Sequence, residues 1–115
     1  LLKDRAEVLS VQPDFAALKG WRVGLVAPWS AAEGGDGAKF EVRAFTSAGY
    51  EDPVTGSLNA GIAQWLIGAG IAPGSYQAFQ GSVLGRDGRI QVTQDADDIW
   101  IGGDVVTCIS GQVTL

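Results

Sequence analysis

The feature that most restricts this chain is a helix with almost no polar side. From about Thr55 to Gly68, residues Leu58, Ile62, Trp65, Leu66 and Ala69 fall on one face at spacings of three and four. Ala60, Ala63 and Ile67 cover most of the remainder, and only Asn59 and Gln64 are polar. A helix apolar nearly all round is expected to be buried. With 115 residues, the chain has no set of other long helices to bury it against. The expectation is an α+β domain: a barrel-like, curled, mostly antiparallel sheet wrapped around one central buried hydrophobic helix.

The segments around that helix fit this picture. Trp21–Pro28 and Phe40–Thr46 read as strands, the second alternating Phe40, Val42, Ala44 with Glu41, Arg43, Phe45. Ser75–Gln80 reads as a strand after the Pro73-Gly74 turn. Asp87-Gly88 signals a hairpin between Ser82–Arg86 and Arg89–Thr93. Asp97–Ile101, Asp104–Ser110 and Gln112–Leu115 complete the expected strands, and Glu7–Val11 is a further short candidate. Pro13 opens a short helix expected over Asp14–Lys19, with Gly20 as its stop. Ser30–Gly37 is expected to be a loop. No repeat or linker divides the chain, so residues 1–115 read as a single domain.

Composition then narrows the chemistry. A net charge of −5 offers no basic face for nucleic acid. No apolar run reaches the roughly 20 residues that cross a bilayer, and a cytoplasmic location is the default expectation. The one cysteine, Cys108, excludes an internal disulfide and, among Val105, Val106 and Ile109, is expected to be a buried thiol. Histidine is absent, which excludes Ser-His-Asp and Cys-His machinery and any zinc site that uses His. Acid–base work would fall to carboxylates, Lys, Tyr or the thiol.

The strongest chemical candidate is the turn that opens the apolar helix, Glu51-Asp52-Pro53-Val54-Thr55-Gly56-Ser57. A helix start presents unpaired N–H groups and partial positive charge, which favour an anion. Gly56 allows close backbone approach, and Asp52, Thr55 and Ser57 supply a carboxylate and two hydroxyls. The same three residues could equally serve as helix caps. Glu51 reads as a solvated or structural neighbour, since adjacent carboxylates repel in one small pocket. Gly34-Gly35-Asp36-Gly37 and Gly81–Arg86 lack the pattern of a nucleotide loop, and Asp95, Asp97 and Asp98 lack that of a calcium loop. Arg86 and Arg89 read as surface charges. Trp65 is expected in the core, with Trp21, Trp29 and Trp100 as packing residues.

An ordered set of motifs carries a family resemblance. Arg43-Ala44-Phe45, Gly49, the Glu51–Ser57 string, Gln80-Gly81, Gly85-Arg86-Asp87-Gly88-Arg89-Ile90, Gly102-Gly103 and Gly111 together resemble the phenazine biosynthesis-like (PhzF-type) branch of the diaminopimelate epimerase fold. Members of that family resemble a clam of two similar halves with the active site between them, and this chain is similar to the second, C-terminal half.

The resemblance implies isomerisation or epimerisation by carboxylate proton transfer on a small carboxylate-bearing metabolite, without metal or organic cofactor. Asp52 then corresponds to the reactive carboxylate of this half, and Thr55, Gly56 and Ser57 to the substrate-binding helix start. A glutamate from the first half would complete the site. The chain starts at Leu1 and contains no Met, which reads as a piece or processed product of something longer. The expected partners are a chain supplying the first half or a second copy in a homodimer. A non-catalytic half-domain that self-associates as a binding or structural module is the alternative.

Overall fold

The computed structural model describes residues 1–115. The chain folds as α1 (Arg5–Ser10), β1 (Val23–Pro28), a single helical turn α2 (Ala31–Gly34), β2 (Lys39–Phe45), a two-residue β3 (Glu51–Asp52), α3 (Gly56–Gly68), β4 (Ser75–Gln80), β5 (Gly88–Asp95) and β6 (Asp98–Gly102). It is a mixed α+β fold built on one six-stranded sheet, ordered β1-β2-β4-β5-β6 with β3 paired to β2. All pairings are antiparallel except β2 with β4. Parallel neighbours need a crossover, and α3 lies within that connection.

The sheet is open. Its terminal strands β1 and β6 do not pair with each other, so the expected barrel-like wrap does not close. Because the sheet covers one side of α3 only, the helix buries a stripe of Asn59, Ile62, Ala63 and Leu66, and Gly61, Gln64 and Trp65 face outward. Trp65 is about half exposed (49%), contrary to the core position expected for it. The buried stripe packs on Val26, Phe40, Val42, Tyr76, Ala78, Ile90 and Val92 from four strands.

The opposite face of the sheet has its own cover, which the apolar pattern concealed. Residues 5–10 form a helix rather than a strand, because the Asp4 carboxylate accepts the Glu7 N–H at 2.9 Å as a helix cap. α1 packs on β1 and β2 and buries Val8. With both faces covered, β2 is buried along nearly its whole length, including Glu41 and Arg43. Glu41 accepts hydrogen bonds from Arg5 Nε (3.0 Å), Trp29 Nε1 (3.1 Å) and the Ser82 hydroxyl. Trp29, stacked on Phe79 at 4.5 Å between centroids, packs as expected. Trp21 and Trp100 are instead exposed.

Four local expectations are corrected. Asp14–Lys19 forms turns: the Leu18 N–H makes one helical bond to Asp14 O, but the Lys19 N–H turns to Ala16 O and no ladder follows. Residues 31–34 form one helical turn inside the expected loop. Ser82–Leu84 is a 3₁₀ turn, so the hairpin joins β4 to β5, as Gly81 O accepts the Leu84 and Arg86 N–H groups. Beyond Gly102 no strand lies alongside to pair with, so residues 103–115 carry no regular structure and Cys108 is exposed.

Candidate functional site

Strand alternation sorts the two adjacent carboxylates. A tight turn at the end of β2, closed by the Thr46 N–H donating to Tyr50 O at 2.9 Å, returns β3 beside β2. Ala44 then faces Asp52, and Phe45 faces Glu51. Successive side chains leave a strand on opposite faces. Glu51 therefore turns toward α1 and meets Arg43, with Nε to Oε1 at 2.9 Å and NH2 to Oε2 at 2.7 Å. Arg43 also donates to the Val8 and Val11 carbonyls, at 3.1 and 2.7 Å. Glu51 is structural and sealed, not solvated.

Asp52 turns the other way, into a cavity of about 530 Å³ at the start of α3. Thr55, Ser57 and Leu58 line it from the helix, Tyr50 from the β2–β3 turn, and Arg22 from the start of β1. Asp52 is its one carboxylate and Arg22 its one cation. Arg22 forms no ion pair with any carboxylate of the chain. Asp52 Oδ1 accepts the Val54 N–H at 3.2 Å, which bends the chain into the helix. Of the residues expected at the site, Asp52, Thr55 and Ser57 share this cavity. Gly56 does not. It lines a second hollow with Val54, Asp87, Arg89, Gly102 and Gly103.

Thr55 occupies the N-cap position of α3 without capping it by its side chain. Its hydroxyl is engaged elsewhere, by Gln80. This glutamine, buried at the end of β4, holds the whole turn. Its Oε1 accepts the Thr55 N–H (3.1 Å) and Asn59 Nδ2 (2.9 Å), and its Nε2 donates to Asp52 O (2.8 Å) and Thr55 Oγ1 (3.0 Å). A primary amide has two N–H donors and two acceptor lone pairs, so its capacity is full. Asn59 Nδ2 donates also to Thr55 O at 3.0 Å, whereas Asn59 Oδ1 is buried without a partner.

The turn also rests on two glycines of the β4–β5 connection. A Cβ on Gly81 would stand 2.7 Å from Pro53 O, and one on Gly88 would stand 2.6 Å from both Gln80 O and Val54 Cγ2. Gly81 has φ +91°, the left-handed region that glycine adopts freely. The sequence places Gln80, Gly81 and Gly88 among the family motifs, and Gly88 in a hairpin signal, but gives none of them a role at the site. The available signal was register: Tyr76, Ala78 and Gln80 alternate to one face of β4, which places Gln80 in the core.

Chemically, the cavity offers a carboxylate able to carry a proton, a free guanidinium, hydroxyls and the uncapped first turn of a helix. No three or more His, Cys, Asp or Glu side chains gather where they could hold a metal ion, and no helix is long and apolar enough to cross a membrane. The family model described as phenazine biosynthesis-like protein (PhzC-PhzF) matches residues 1–111. The chain belongs to this family. In this phenazine biosynthesis-like chain the matched span includes every residue of the cavity and of its Gln80 support. No curated protein matches the chain.

Proposed function

We propose that this chain is the C-terminal half of a cofactor-independent PhzF-like isomerase or epimerase that moves a proton on a small carboxylate-bearing metabolite. The observation that carries the reading is the single cavity at the start of α3 that Asp52, Thr55 and Ser57 line together with the unpaired Arg22. A substrate carboxylate is suited to Arg22 and the first-turn N–H groups. Asp52 would then give or take a proton at the neighbouring carbon, and Gly56 would allow the helix start to approach closely from its other side. Family membership supports the isomerase class. The second wall of the cleft, with its own carboxylate, would come from a first-half domain.

The test is solvent proton exchange. With a first-half domain supplied, deuterium should enter a substrate carbon from D₂O, and Asp52→Asn should abolish that exchange while leaving the fold intact. Absence of exchange across a panel of small amino and hydroxy acids would sink the reading.

A second reading, a non-catalytic half-domain that self-associates, is favoured by one observation. Tyr50 (57%) and Val54 (48%) are exposed apolar residues bordering the site, and Trp21 (69%) adjoins Arg22. Such a patch suits a covering partner, and a two-fold homodimer would bring two copies of it together. Sedimentation equilibrium separates the readings: a concentration-dependent dimer lost in Trp21→Ser supports self-association, and a monomer at all concentrations removes it.

A further inference from the structure

We infer that Gln80 is a positioning residue that biases the Thr55 hydroxyl to donate its hydrogen toward the Asp52 cavity. The inference deepens the proposed carboxylate-binding site and rests on that reading. The orientation of the Gln80 amide is fixed by backbone groups on each side. The Thr55 N–H can only donate, so Oε1 lies toward it; the Asp52 carbonyl can only accept, so Nε2 lies toward that. With Nε2 so placed, its contact with Thr55 Oγ1 makes the hydroxyl the acceptor. The hydroxyl proton must point elsewhere, and Thr55 Oγ1 donates to no group of the protein.

Thr55 lines the cavity, so its remaining hydrogen is available to an acceptor there. A hydroxyl alone serves either polarity by rotating. Pinned by Gln80 it has one lone pair taken and its hydrogen turned away from Nε2, which biases it toward a carboxylate or carbonyl oxygen over an ammonium or hydroxyl hydrogen. The same amide holds the Asp52 carbonyl, so the acid–base group and the donor keep a fixed relation. Four groups from residues 52, 55 and 59 converge on one side chain 21 to 28 residues away. Gln80 touches no ligand in this scheme and acts through Thr55 and Asp52.

Benzoate is a suitable probe, because it joins one carboxylate to an apolar body and the cavity has Leu58, Val23 and Phe45 on its walls. Titrating it into the ¹⁵N-labelled chain should shift the amides of Thr55 and Ser57. Thr55→Val should weaken the fitted Kd about tenfold, the scale of one hydrogen bond to a charged group, and Thr55→Ser should restore it. Gln80→Leu should weaken it similarly, and Gln80→Leu combined with Thr55→Val should lose no more than Gln80→Leu alone. A purely structural Gln80 would give additive losses and overturn the inference. So would a folded Thr55→Val variant that binds like the parent, which keeps the test decisive should Gln80→Leu not fold. Unshifted cavity amides in the parent would overturn the carboxylate-site reading and this inference together, whereas bound benzoate with an unaffected Thr55→Val removes the inference alone.

Discussion

Arg43 and Glu51 form a two-pronged ion pair whose side chains are 2% and 6% exposed. The pair ties the strand before the site to the strand that carries Asp52, and Arg43 reaches on to the end of α1. Removing one member leaves the other charge buried and unanswered. Glu51→Ala is expected to destabilise the fold by about 3–5 kcal/mol. Asp87→Ala, which breaks the exposed Arg89 pair, should change it by less than about 1 kcal/mol. Urea denaturation of the two variants side by side checks the contrast.

The one-sided burial of α3 separates two neighbouring residues. Leu66 is fully buried and Trp65 half exposed. Leu66→Ala should cost about 2–5 kcal/mol through lost contacts and a cavity, and Trp65→Gln should stay within about 1 kcal/mol. Equal losses in chemical denaturation would mean that the helix is enclosed on all sides.

Gly81 is expected to govern the shape of the site from outside it. Gly81→Ala places a Cβ against Pro53 O and strains a left-handed backbone, a cost of about 1–3 kcal/mol. The displaced partner is the turn itself. Amide resonances of Val54 and Thr55 should move more than those of β6, as read from heteronuclear spectra.

Tyr76 gives the fold a response to alkali. Its hydroxyl is buried without a partner, and burial pushes its pKa from 10 up to about 12. The unfolded chain therefore releases this proton first. The contribution of Tyr76 to stability is complete below about pH 10 and is lost as pH rises toward about 12. Tyr76→Phe should lessen that alkaline loss and be neutral or stabilising at pH 7, since it removes an unsatisfied polar atom. Denaturation midpoints at pH 8 and pH 11 measure both effects.

The central elements were legible in the residues. The residues give Ser75–Gln80 with its observed ends, and α3, β1, β2 and β6 to within about two residues, because apolar periodicity and glycine punctuation agree there. The apolar pattern does not show α1, because its six residues bury only Val8 and carry little apolar period; its signal is the Asp4 and Glu7 spacing of a cap. The exposure of Trp65 is not legible in the residues, because composition shows that a helix is apolar, while which side is covered depends on how far the sheet closes. At the site, Asp52, Thr55 and Ser57 could be named from one contiguous string. Arg22 and Gln80 could not, since only strand pairing brings them beside it.

The crossover between β2 and β4 also fixes when the cleft can exist. Its floor is held by a contact spanning 28 residues, from Gln80 back to Asp52, which forms only after the helix has folded over and the parallel strands have met. Pairing parallel strands across such a crossover is slow compared with forming a helix, because the chain loses loop entropy before the distant contacts reward it. The cleft is therefore a late product of folding. A nascent chain displaying the entire Glu51–Ser57 string has no site until β4 is in place, and ligand capture in a refolding experiment should lag the gain of helical signal.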